Sequence, residues 1–175
     1  PEAFSAAEAD VITIAGASTY TADKAALLTR PSALTAETDG PKVLIVHTHG
    51  TEAYTMPAGE EYEASDDHRT LEKEKNMIRV GDEIARVLTD AGLGVLHDRE
   101  LYDYPNYSGA YNRSLAAIEK YRAEYPSLLY ILDVHRDAVA DSEGNNYKLL
   151  CAEEPGAAQL EFVIGSSGGG LEHPD

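Results

Sequence analysis

A chain of 175 residues suits one domain and can bury a core without covalent staples, since about 150 residues hide roughly 70% of their unfolded surface. Its single cysteine, Cys151, excludes an internal disulfide, and the apolar neighbours Leu149, Leu150 and Ala152 mark it as a buried strand residue rather than a reactive thiol. Asp and Glu outnumber Lys and Arg by 31 to 14, giving a formal charge of −17 that disfavours nucleic acid and anionic lipid surfaces as partners and that a bound divalent cation would partly offset.

In chain order, Val11 to Ile14 reads as a strand, Ala22 to Leu28 as a short helix and Arg30 to Gly40 as a linker. This divides the chain into an N-terminal extension, residues 1–41, and a main domain, residues 42–175. The first strong strand is 43–48, followed by a polar loop from Thr51 to Arg69. Thr70 is expected to cap a helix of 71–90, whose Met77, Val80, Ile84, Leu88 and Ala91 recur at helical spacing. Gly94 to His97 reads as a strand. A Tyr-rich loop, 102–107, leads to a helix of 109–124 with an apolar face of Tyr111, Leu115 and Ile118. Pro126 closes it, and a strand of 128–134 follows. A turn near 141–145, a strand of 147–152, a strand of 160–165 and a Gly-rich end complete the chain. Alternating strands and helices predict an α/β fold, with a mostly parallel or mixed sheet flanked by helices and strands buried on both faces.

Two strands end in histidine: Val43-Leu44-Ile45-Val46 runs into His47-Thr48-His49, and Leu128 to Val134 runs into His135. In open α/β sheets ligands sit beyond the carboxyl ends of the strands, so His49 and His135 point to one metal site. Catalytic zinc keeps three protein ligands and one open position. Glu52, three residues after His49, and Glu72, at the expected helix start, compete for the third place. A glutamate in a first helical turn also serves the helix dipole. His47 is placed as an orienting neighbour. Ser114 and Arg136 are placed as residues that orient substrate or stabilise an oxyanion. His68 reads as a loop residue and His97 as a structural strand-end residue.

His47-Thr48-His49-Gly50-Thr51-Glu52-Ala53-Tyr54, Asn76 to Glu83, His97-Asp98, Asp103 to Ser114 and Asp133-Val134-His135-Arg136-Asp137-Ala138 together resemble the stage II sporulation protein P family, in order and spacing from about residue 42 onward. That family is similar to zinc-dependent N-acetylmuramoyl-L-alanine amidases, which the resemblance matches through Thr48-His49-Gly50, Glu72-Lys73-Glu74-Lys75-Asn76 and Val134-His135. The resemblance implies an amidase-like or zinc-peptidase-like fold that binds zinc through His49, Glu72 and His135, with Glu52 as the alternative carboxylate. It implies hydrolysis of peptidoglycan at the muramoyl–alanine amide, and of peptide cross-links, during forespore engulfment. It implies stage II sporulation proteins D and M as partners, a location between the mother-cell and forespore membranes, and attachment through an anchor outside these residues. It also implies that the C-terminal elements, with the general-base glutamate, lie beyond Asp175. Two rival readings stay open: a carboxypeptidase-like metallopeptidase using His49, Glu52 and His135, and a wall-binding module without catalysis.

Overall fold

The computed structural model describes residues 14, 23–29, 40–147, 150, 152, 155–156 and 158–164. The chain divides into two compact units, one of Leu34–Asn146 and one formed by Pro1–Ala33 with Tyr147–Asp175. In the second of these, a short helix α1 spans Lys24–Thr29, where the sequence predicts one, and Asp23 accepts the Ala26 amide at its start. Leu160–Ile164 carries no strand; Leu160 is 83% exposed and Val163 89%. The strand expected there does not form, because apolar content alone leaves the backbone groups without a ladder to join. The expected strand at Val11 to Ile14 and Cys151 fall outside the described residues, Ile14 excepted.

The larger unit carries the sheet. Strand β1, Val43–Val46, is buried along its whole length, as its unbroken β-branched and leucine run demands. A small antiparallel pair follows, β2 (Ala64–Asp66) and β3 (Arg69–Thr70), inside the segment predicted to be a loop. His68 makes the reversal between them with φ of 52°, a left-handed turn that local sequence does not advertise. Helix α2, Met77–Asp90, β4, Val95–His97, helix α3, Ala110–Glu124, and β5, Tyr130–Asp133, complete the core architecture. A last pair, β6 (Val139–Ala140) and β7 (Asn146–Tyr147), brackets the predicted turn at 141–145.

The main sheet has the order β4-β1-β5, all parallel, with Val43 opposite Val95 and Tyr130, and Val46 opposite Asp133. The α/β class is therefore as the sequence indicates. The chain steps from β1 to one side and then returns to the other, so the gap between β1 and β5 is the point where strand order reverses, where α/β sheets open a crevice. His49 and His135 leave the sheet at that gap. The expectation that β5 is buried on both faces does not hold: Tyr130 and Ile131 are exposed, because β5 is an edge strand among the described residues.

Two helix details also differ from expectation. Helix α2 begins at Met77, not 71, and its cap is Asn76 rather than Thr70. The Asn76 side chain accepts the Ile78 amide at 3.0 Å and donates to the Thr70 carbonyl at 3.0 Å, while Thr70 is held in β3 and donates its hydroxyl to the Glu63 carbonyl. Strand pairing thus claims Thr70 before the helix can. Asn76→Ala is expected to lower stability by about 1–2 kcal/mol, from the lost cap and the orphaned Thr70 carbonyl, read as a shift of the urea midpoint. On α3, the buried positions are Ala110 and Ser114; Tyr111 and Leu115 are exposed, so the predicted apolar face is not the packed one. Small residues let the helix approach Thr48, and Tyr111 is turned instead toward the histidines.

Candidate functional site

The site grows from the parallel ends of β1 and β5. The rings of His49 and His135 lie 5.5 Å apart between centroids, inclined at 70°. Each has a carboxylate. His135 Nε2 stands 3.1 Å from Asp133 Oδ1, two residues earlier and so on the same side of the strand. Asp133 is fixed in turn by Thr48, whose amide donates at 2.8 Å and hydroxyl at 2.6 Å. Burial pushes the Asp133 carboxyl up, but the hydrogen bonds from His135 and then Thr48 outweigh it and hold the group below its usual range. The hydrogen bond to Asp133 raises the His135 pKa. With Nε2–H given to Asp133, the Nδ1 lone pair of His135 faces Glu52, whose Oε2 is 3.9 Å away.

His49 is buried, and burial lowers its pKa despite Glu52 and Asp103 nearby. Its Nδ1 has no hydrogen-bond partner among the described residues; the Asp103 Oδ2 atom stands 3.7 Å off. Arg69 ties the carboxylates together, donating to Asp103 at 2.6 Å and to Glu52 at 3.3 Å, with its guanidinium 4.9 Å from the Tyr107 ring centre. The β2–β3 pair delivers it: Arg69 bridges Glu52 through the backbone, and the Ala53 amide bonds the His68 carbonyl at 2.9 Å. Tyr107 lies flat on His49, 4.6 Å between ring centres and 7° from parallel, and Tyr111 stands edge-on at 5.3 Å. With the turn at Gly109 they wall a cavity of about 230 Å³ open to His49. Arg113 on α3 holds that turn, donating to the carbonyls of Tyr102, Asn106 and Ser108.

The remaining sequence-selected residues fall at different distances from this centre. Glu72 is engaged elsewhere: its Oε1 accepts the Glu63 amide at 2.6 Å and its Oε2 stands 3.5 Å from Lys75 Nζ. The glutamate beside His135 is Glu52. Ser114 sits one layer back, 2.7 Å from the Thr48 hydroxyl, where it supports Asp133 rather than facing the cavity. His47 has both ring nitrogens engaged, Nδ1 with the Val134 carbonyl at 3.0 Å and Nε2 with His97 Nε2 at 2.9 Å. His97, read as a structural strand-end residue, is thus the half-buried partner of His47. The Arg136 amide donates to Glu52 Oε2 at 3.3 Å, and its buried Nε has no partner among the described residues. Sequence does not single out Arg69, gives Asp103 and Asp133 only within the segments that carry the family resemblance, and gives Tyr107 as part of the Tyr-rich loop, whose rings could stack on a sugar. Only Asp133 carried a usable signal, the Asp-x-His alternation on one strand face.

Two imidazoles and a half-buried glutamate are the donor set zinc takes. Among the described residues no group of three His, Cys, Asp or Glu side chains is spaced to hold an ion as it stands. The 3.9 Å from Glu52 to His135 is wider than the roughly 3.4 Å between neighbouring ligand atoms around a tetrahedral zinc. The residues fit such an ion in kind.

A parallel-sheet α/β domain with paired histidines, each backed by an acid, at its strand-order reversal is the class that fold and site define. The chain belongs to the stage II sporulation protein P family, whose model matches residues 4–173. It is similar to the stage II sporulation protein P of Bacillus subtilis (strain 168), 27% identical over 151 residues that cover 78% of this chain and 34% of that protein. The chain thus spans about a third of the length of that curated relative. No solved structure matches it. Among the described residues no helix is long and apolar enough to cross a membrane.

Proposed function

We propose that this chain is the metal-binding part of a zinc-dependent peptidoglycan hydrolase that cuts the amide between N-acetylmuramic acid and L-alanine. The observation that carries the reading is the convergence of His49 and His135 at the common end of β1 and β5, with Glu52 beside them. Membership of a sporulation family and the resemblance to amidases supply the substrate class. His49, His135 and Glu52 would hold the ion; Glu52 replaces Glu72 in this role because Glu72 is committed to Glu63 and Lys75. Bound zinc supplies a Lewis acid that polarises the amide carbonyl and makes water nucleophilic near neutral pH. The chain's own residues orient and shield. Asp133 fixes the His135 tautomer, and Tyr107 and Tyr111 present apolar ring area beside His49 on which a sugar face can rest. Action between the mother-cell and forespore membranes, with stage II sporulation proteins D and M, follows from the family resemblance.

Elemental analysis tests the ligand set. Wild type is expected to carry one zinc, and His49→Ala, His135→Ala and Glu52→Gln to lose it, while Glu72→Gln keeps it. Stoichiometric zinc in both histidine variants sinks the site, and loss in Glu72→Gln alone returns that glutamate to it. The use of Glu52 also suits a carboxypeptidase-like enzyme. Products separate the two: free muramic acid ends from an amidase, single released amino acids from a carboxypeptidase.

A further inference from the structure

We propose that Asp103 and Arg69 form a positioning pair for His49, an inference that rests on the metal reading above. In it the Nδ1–H of His49 donates to Asp103, which leaves the Nε2 lone pair for the ion, and Arg69 fixes Asp103. The starting point is the buried, unpartnered Nδ1 of His49. A buried nitrogen left unsatisfied costs about 1–3 kcal/mol, so it demands either a proton acceptor or a cation. A carboxylate stands just beyond hydrogen-bond reach: Asp103 Oδ2 is 3.7 Å away, with the Asp103 side chain fully buried, so a small turn of the imidazole closes the bond.

Asp103 is itself a poor ligand. Its Oδ2 takes two short bonds, 2.6 Å from Arg69 and 2.6 Å from the Thr51 hydroxyl, and the Thr51 amide reaches Oδ1 at 3.3 Å. Among the described residues the Glu52 carboxylate is held by longer contacts, 3.3 Å from Arg69 and 3.3 Å from the Arg136 amide, so of the two carboxylates it is the one better able to turn to a cation. The arrangement then matches the other histidine. His135 gives Nε2–H to Asp133, which is fixed by Thr48; His49 gives Nδ1–H to Asp103, which is fixed by Thr51 and Arg69. A carboxylate behind a ligating imidazole sets its tautomer and raises its basicity. Arg69 also braces the Tyr107 ring that lies on His49, so one guanidinium restrains the imidazole from two directions.

Two measurements on the full chain decide the matter. The first is nitrogen-15 NMR of the imidazoles in the zinc-free protein, with His49 assigned by its loss in His49→Gln. The pair predicts the proton on Nδ1 in wild type and a mixture of tautomers in Asp103→Asn. The second is zinc affinity by titration against a chromophoric chelator. Asp103→Asn is expected to bind zinc about 10–100-fold more weakly, and Arg69→Met more weakly too. The sign for Arg69→Met is diagnostic: were Arg69 only a neighbouring positive charge, its removal would tighten zinc binding. Arg86→Ala, which breaks surface pairs with Glu83 and Asp90, is the control expected to match wild type. A proton on His49 Nε2 in wild type, or undiminished zinc affinity in Asp103→Asn, overturns the pair. If Asp103→Asn does not fold, the wild-type tautomer and Arg69→Met carry the decision. If wild type takes up no zinc, the metal reading falls by itself, and the tautomer still decides whether Asp103 orients His49.

Discussion

Gly81→Ala is expected to destabilise the chain by about 2–4 kcal/mol, although alanine is the better helix former by roughly 1 kcal/mol. Gly81 lies in the first turns of α2 and is buried against the two histidines that pair across the sheet. A Cβ placed there would stand 2.4 Å from His47 Nε2 and 2.5 Å from His97 Nε2. Neither ring can retreat cheaply. His47 is fully buried and anchored to Val134, and His97 is 3.1 Å from Asp82, which also receives Arg99. Separating the rings breaks the bond between them and orphans buried nitrogens, at about 1–3 kcal/mol for each group left unsatisfied, added to ordinary overpacking of about 1–3 kcal/mol. Relaxation recovers part of that sum, and helix propensity another part, which sets the net range. The displacement also reaches His49, two residues beyond His47, so zinc content should fall along with stability. Urea denaturation of Gly81→Ala beside Gly59→Ala locates the effect: Gly59 has nothing within 4 Å of its Cβ position, but its φ of 89° makes it a control for backbone strain alone. A Gly81→Ala variant as stable as wild type would mean that the rings do not close on that helix.

Some of the architecture follows from residue pattern alone because short-range physics determines it. Val43–Val46 can only be a central buried strand, and Met77–Asp90 carries a clear helical period, so both elements are legible, as is the parallel pairing of β1 with β4 that a helical crossover implies. The convergence of His49 and His135 follows from the same logic, since both are placed by the carboxyl ends of neighbouring parallel strands. What pattern could not supply is partner choice across long loops. Arg69 reaches Asp103 over 34 residues, and His47 reaches His97 over 50, by contacts that no local period encodes. Glu52 and Glu72 illustrate the point in one comparison. The family resemblance favours Glu72, yet the β2–β3 hairpin brings Glu52 beside His135 through Arg69, while Glu72 is left on Lys75 and the Glu63 amide. The exposed face of α3 has the same origin, because its close approach uses Ala110 and Ser114 and releases the larger residues.

Stability is expected to fall by about 2 kcal/mol from neutral pH to pH 5, and by about 3 kcal/mol to pH 4, through His47 alone. Burial lowers its pKa from 6.5 to about 4. Its Nδ1 must donate to the Val134 carbonyl, which cannot donate in return, so Nε2 is the acceptor of the pair and His97 Nε2 the donor. A proton on His47 Nε2 would destroy that bond and bury a charge. The unfolded chain binds its proton near 6.5 and the folded one near 4, so across this window the unfolded state holds more protons, and folding weakens as pH falls. His97 acts in the same sense, since burial lowers it as well, although a second proton on its Nδ1 would face Asp82. His135 acts in the opposite sense: the hydrogen bond to Asp133 raises its pKa, so its protonation favours the fold as pH drops. That protonation also removes the lone pair a metal needs, so zinc binding should weaken as the pH falls. The apoprotein isolates the effect. Urea midpoints at pH 7, 5 and 4 are compared between wild type and His47→Asn, whose difference removes the carboxylates common to both. Wild type should lose its advantage over the variant as the pH falls, by the magnitudes given. A difference independent of pH would show that His47 titrates alike in the folded and unfolded chain, and that its ring is not sealed between Val134 and His97.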